Sequence, residues 1–139
     1  MADDTEAVVG ANDRFYRAVE SLSLIEMDPL WVHGPHAACV HPGWPLLTGW
    51  EAVRDSWEAI FRNTREMRFT LTNVQVEVRG DAAWVICTEN ILSEASDNLS
   101  VTTILATNVF ERHRNEWRIV HHHASHILAP RAGPESELA

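Results

Sequence analysis

The sequence predicts an α+β fold, with helices first and then an antiparallel sheet curled over them. Three observations carry this. Apolar residues recur at helical spacing up to about Arg62, and from Arg68 the alternation changes to a period of two. The alternating runs are long and are separated by short turn sequences, Gly80-Asp81, Asp97-Asn98 and Arg114-Asn115. Helices segregated from a meander of strands are the pattern of a sheet packed on one helical layer.

Val8, Ala11, Phe15, Ala18 and Leu22 form one stripe, predicting a helix from about Thr5 to Leu22 with Tyr16, the sole tyrosine, at its edge. A short second helix over Leu24–Trp31 is interrupted at Asp28-Pro29, because proline suits a fresh first turn. Ala37–His41 reads as a short strand and Pro42-Gly43-Trp44-Pro45 as a turn. Thr48 and Glu51 have the spacing of a capping box, opening a third helix whose Trp50, Val53, Trp57 and Ile60 share one face.

Arg68–Val78 and Ala82–Leu92 then form a hairpin. Its turn sets Val78 opposite Ala83, Val76 opposite Val85, Val74 opposite Cys87 and Thr72 opposite Glu89. This apolar face is the expected core side, with Gln75, Asn73, Trp84 and Thr88 on the other. The last hairpin turns at Arg114-Asn115, where Asn tolerates positive φ. It places Glu111 opposite Arg118, Phe110 opposite Ile119, Asn108 opposite His121, Thr107 opposite His122 and Ala106 opposite His123. Alternation gathers Phe110, Ile119, Asn108, His121, Ala106 and His123 on one side, apolar near the turn and polar further along. That is the gradient of a pocket wall; the alternative is a surface strand with its histidines in water.

At 139 residues and 45% hydrophobic the chain has the size of one domain, expected over residues 1–128, with 129–139 a flexible tail. Its net charge of −9, with arginine the only strong base, argues against nucleic acid or an anionic membrane as partner and removes any lysine nucleophile. Cys39 and Cys87 stand alone among apolar residues and read as core thiols in a reducing compartment. With no leader or long apolar run in the sequence, a cytoplasmic location is expected. Gly-rich phosphate loops, nucleophile elbows and carboxylate-rich metal motifs are missing from the sequence, so no cofactor is expected.

Glu89 continues the inner row Ala83, Val85, Cys87, where a carboxylate is costly unless it is paired or protonated. It reads either as a pocket acid or base of raised pKa, or as a strand end met by water or an arginine. In His121-His122-His123 the outer two residues share a face, and histidine suits general-base work near neutral pH. A metal would need a third ligand from His41 or Glu89, and none is expected. His41-Pro42-Gly43-Trp44 lies where strand meets loop and reads as a pocket rim.

Three segments carry a resemblance: HPGWPLLTGWEAV at His41–Val53, ATNVFER at Ala106–Arg112 and WRIVHHHAS at Trp117–Ser125. With them the chain resembles the SnoaL-like group of the nuclear-transport-factor-2-like (NTF2-like) superfamily, from about Glu6 to Ile127. The closing segment is also similar to the association domain of calcium/calmodulin-dependent kinase. The resemblance implies a cone: a strongly curved antiparallel sheet wrapped around about three N-terminal helices, and a homodimer formed through the outer sheet face. Gln75, Trp84, Thr107 and His122 would then lie outside, and Val74, Val76, Val85 and Cys87 inside.

Set beside ketosteroid isomerase, Tyr16 matches the oxyanion tyrosine, His41-Pro42 stands where that enzyme has Asp-Pro, and Asn108 stands for its protonated aspartate. The likeness thus implies a pocket for a small, largely apolar molecule, with cofactor-free isomerase, dehydratase or cyclase chemistry. His41 would be the base, Tyr16 and Asn108 the hydrogen-bond donors, and Glu89, His121 and His123 the polar wall, with Trp31, Trp44 and Trp57 shaping the cavity. The other reading is a non-catalytic association or binding module, in which the histidines are structural.

Overall fold

The computed structural model describes residues 4–95 and 97–128, so the expected tail at 129–139 lies outside the described residues. Helix α1 spans Asp4–Ser21 and α2 Leu24–Met27, and α2 runs into a 3₁₀ turn over Asp28–Leu30 at Pro29. Strands β1 (Ala38–Val40) and β2 (Leu47–Thr48) precede α3 (Trp50–Arg62). Four long strands follow: β3 (Glu66–Arg79), β4 (Ala82–Ala95), β5 (Asn98–His113) and β6 (Glu116–His126). They form one open six-stranded sheet in the order β2-β1-β6-β5-β4-β3. The fold is the expected α+β arrangement, but the sheet is mixed rather than wholly antiparallel, because β1 lies parallel to β6.

Helix α1 packs its Val8, Ala11, Phe15, Ala18 and Val19 against the sheet, and Asn12 and Tyr16 are buried with them. The core joins these to Met27, Trp31 and Val53 and to the inner row of β4, Ala83, Val85 and Cys87. Phe15 is its hub, in edge-on contact with Tyr16, Trp31 and Trp57. Among the described residues no helix is long and apolar enough to cross a membrane.

Local expectations were met unevenly. Arg114 and Asn115 both have positive φ, 54° and 68°, as a type I′ hairpin turn requires. The capping box does not form: Thr48 is in β2, and Gly49, at φ 87°, opens α3 with no side-chain cap. Two β-bulges shift the predicted registers. In β3 the pairing slips between Thr72 and Gln75, with Asn73 at φ 53°. Leu71, not Thr72, therefore faces Glu89, and Val74 is turned out to solvent rather than into the core. In β6 Ile119 pairs with Phe110 and His121 with Val109, leaving Val120 as the extra residue.

That second bulge inverts every side chain beyond it. Asn108 faces His122, Thr107 faces His123 and Ala106 faces Ala124. His122, expected outside, points into the core, and His121 and His123 leave the predicted inner wall for the opposite face.

Candidate functional site

The helices and the inner sheet face enclose a cavity of about 290 Å³. Its apolar wall comes from α1 (Phe15, Val19), α3 (Trp57, Ile60), β3 (Met67, Phe69) and the β4–β5 row (Ile91, Ile104). Pro42 and the 40%-exposed Trp44 form part of its rim. Four buried polar side chains reach it: Tyr16, His41, Glu89 and His122. Ser93, Thr102 and the exposed His126 also line it, nearer the strand ends.

The polar groups fall into two clusters. In the first, the Tyr16 hydroxyl donates to Glu89 Oε2 at 2.5 Å and lies 3.6 Å from Cys87 Sγ. Burial raises the Glu89 carboxyl to about 7 against the opposing pull of the Tyr16 hydrogen bond. Burial and the adjacent Glu89 charge hold Tyr16 well above its ordinary value, so the phenol keeps its proton. Cys87 is pushed up to about 11, chiefly by burial, and is a thiol rather than a nucleophile.

The second cluster holds the imidazoles. His41 Nε2 lies 2.8 Å from Ser56 Oγ, and that hydroxyl gives its one proton to the Val53 carbonyl at 2.6 Å. His41 must therefore be the donor through Nε2, leaving Nδ1 with a lone pair. His122 is fixed the other way round. Asn108 uses both amide protons, on Asn12 Oδ1 at 2.9 Å and on Tyr16 Oη at 3.1 Å. Its carbonyl oxygen then accepts from His122 Nδ1, 2.6 Å away, and His122 Nε2 keeps its lone pair. Burial lowers His41 to about 4 and His122 well below the usual imidazole range, with His41 as the next contributor for His122. Both rings are neutral at pH 7.

Tyr16, His41, Glu89, Trp44 and Trp57 line one cavity. Asn108 does not line it: the residue is fully buried and its amide is spent on Asn12, Tyr16 and His122. Trp31 is core, its indole directed at Met27 Sδ 3.2 Å away. His121 and His123 stand with Leu105, Thr107 and Val109 on the outer face. Sequence reasoning missed His122, Asn12 and Ser56 as site residues. The signal for His122 was present: Trp117 and Ala124, both apolar and both buried, are an odd number of residues apart, which an unbroken strand cannot place on one face. Among the described residues no group of three or more His, Cys, Asp or Glu is arranged to hold a metal ion.

Comparison with known proteins places this architecture. A protein from Streptomyces avermitilis, of the NTF2-like family and provisionally named a dehydratase, is 42% identical with a TM-score of 0.85, the match covering 91% of this chain and 97% of that one. A Thiobacillus denitrificans ATCC 25259 protein, provisionally named a calcium/calmodulin-dependent protein kinase type II association domain, is 34% identical at TM-score 0.76, covering 85% of this chain and 93% of that one. The F-box protein SKIP8 of Arabidopsis thaliana is 31% identical over 124 residues, 89% of this chain; the chain spans about half of that relative, 51%. An NTF2-like superfamily protein from Salmonella enterica serovar Typhimurium shares the fold at TM-score 0.83 with 18% identity, covering 94% of this chain and 95% of that one. The model of the SnoaL-like domain matches residues 8–130, and the chain belongs to that family, within the NTF2-like superfamily.

Proposed function

We propose that the cavity binds a small, largely apolar molecule and moves protons on it with the chain's own side chains, in a dehydration or isomerisation. One observation carries this reading: a carboxyl raised to about 7 and two neutral imidazoles line the same apolar cavity. A carboxyl of that pKa is a competent proton donor at neutral pH, and an unprotonated imidazole is a competent acceptor. For a β-hydroxy ketone, an imidazole would take the proton from the carbon beside the carbonyl. The new C=C bond would form as the C–O bond breaks, and the leaving oxygen would take the Glu89 proton and depart as water. Proton return from imidazolium to carboxylate restores both groups. His122 or His41 is the base in this scheme, Glu89 the acid and Tyr16 the hydrogen-bond partner that orients it. The name carried by the Streptomyces relative supports the dehydration variant.

The test is to incubate the protein with two-ring β-hydroxy ketones in D₂O and follow water loss and deuterium uptake by NMR. Turnover that disappears in Glu89→Gln supports the proposal, and no turnover across the series contradicts it. A second reading, a non-catalytic association module, is favoured by the similarity to the Thiobacillus protein. In either case we propose a homodimer through the outer sheet face around Leu105, Thr107 and Val109, to be checked by light scattering.

A further inference from the structure

The hydrogen-bond polarity of the cavity wall specifies what a ligand must offer. Apart from the Glu89 carboxyl, every deep donor that a hydrogen bond reaches among the described residues is committed. Tyr16 gives its proton to Glu89, His41 gives Nε2–H to Ser56, and His122 gives Nδ1–H to Asn108. The wiring ends at Asn12, whose Oδ1 accepts from Asn108. Trp57 Nε1 is the exception among deep donors, but the atom is sealed from the cavity and unpartnered among the described residues. The lone pairs left on the lining imidazoles are His122 Nε2 and His41 Nδ1, beside a Glu89 carboxyl that is about half protonated at pH 7. His122 Nε2 has no protein partner among the described residues, and His41 Nδ1 has only Cys39 Sγ at 3.9 Å. Among the described residues no arginine lines the cavity.

We infer that the cavity selects an uncharged, ring-sized molecule bearing an alcohol or phenol hydroxyl, whose O–H is received by His122 Nε2, and that it rejects carboxylates and other anions. The inference deepens the cavity reading above and rests on it. A hydroxyl donor would hydrogen-bond a lone pair that is accessible from the cavity and has no protein partner among the described residues. A carboxylate brings an acceptor to the two imidazole lone pairs, and among the described residues no cation lines the cavity to compensate its lost hydration. Asn108 and Asn12 act here as positioning residues: they touch no ligand, but they hold His122 in the one tautomer that presents a lone pair.

The experiment compares three probes of one shape, 2-naphthol, 2-methoxynaphthalene and 2-naphthoate, by calorimetric titration at pH 7. The expected result is 2-naphthol binding about tenfold more tightly than its methyl ether, with 2-naphthoate weakest. His122→Phe should abolish the preference for naphthol over ether. A ¹⁵N spectrum of the histidine rings gives a second readout that needs no variant: His122 should carry its proton on Nδ1. Equal binding of naphthol and ether, tight binding of naphthoate, or a proton on Nε2 of His122 would each overturn the inference while leaving the cavity as a binding site. Failure of all three probes to bind would overturn the cavity reading and the inference with it.

Discussion

The two polar clusters of the cavity are built alike and behave in opposite ways. Glu89 with Tyr16 and the imidazoles His41 and His122 with Ser56 and Asn108 are all nearly buried, and each has a short hydrogen bond to a neutral partner. Among the described residues neither cluster has a charged partner of opposite sign, so burial dominates and favours whichever form is uncharged. For the acid that form is protonated and for the bases it is unprotonated. The carboxyl moves up to about 7 and His41 down to about 4, so a proton donor and a proton acceptor coexist at neutral pH. An ion pair in the same place would have done the reverse, leaving a carboxylate and an imidazolium with the donor and acceptor roles exchanged.

Replacing Asn108 would disrupt both clusters and should have the largest effect. Asn108→Leu orphans His122 Nδ1–H and Asn12 Oδ1, and should cost about 4 kcal/mol in urea unfolding. The His122 ring resonances should also lose their single tautomer. Glu89→Gln separates the clusters by pH. The folded-state pKa of Glu89 is raised from 4.5 to about 7, so its contribution is fully present below 4.5 and is lost as pH rises through about 7. The variant should therefore gain about 3 kcal/mol relative to the parent between pH 4 and 8.5, read from paired denaturation curves.

The imidazoles have the opposite sign. His41 is lowered from 6.5 to about 4, so its contribution is present above 6.5 and lost as pH falls through about 4. Ser56→Ala removes the acceptor of His41 Nε2–H and should cost about 1–2 kcal/mol, altering the His41 ring spectrum and leaving that of His122 in place. The smallest effect belongs to the outer face. His123→Ala, at an exposed position, should change stability by no more than about 0.5 kcal/mol and leave probe binding in the cavity unaltered.

Much of this molecule was legible before its structure. The helical stripe of Val8, Ala11, Phe15 and Ala18, the turns at Gly80-Asp81 and Arg114-Asn115, and the inner position of Glu89 all follow from short-range periodicity. Register near each turn followed as well, down to Val76 opposite Val85 and Phe110 opposite Ile119. What did not follow was parity beyond the bulges at Asn73 and Val120, since one extra residue exchanges the two faces of a strand. Hence His121 and His123 were expected in the wall that His122 occupies, and Val74 was expected in the core. The roles of Asn12, Asn108 and Ser56 depend on contacts between distant elements, such as the 96-residue separation of Asn12 and Asn108, which no local pattern encodes. Thr48 teaches the same lesson at short range: its pairing in β2 opposite Ala38 displaced the capping role that its spacing offered.

The central claim, a carboxyl still about half protonated and neutral imidazoles sharing one cavity at pH 7, is tested most directly by NMR titration of the protein labelled at its glutamate carboxyls and histidine rings. The account predicts a Glu89 midpoint near 7, a His41 midpoint near 4, and a His122 ring still neutral at pH 6.5, where an ordinary imidazole is half protonated. A Glu89 midpoint at the ordinary carboxylate value of 4.5, or a His122 ring titrating near 6.5, would contradict it.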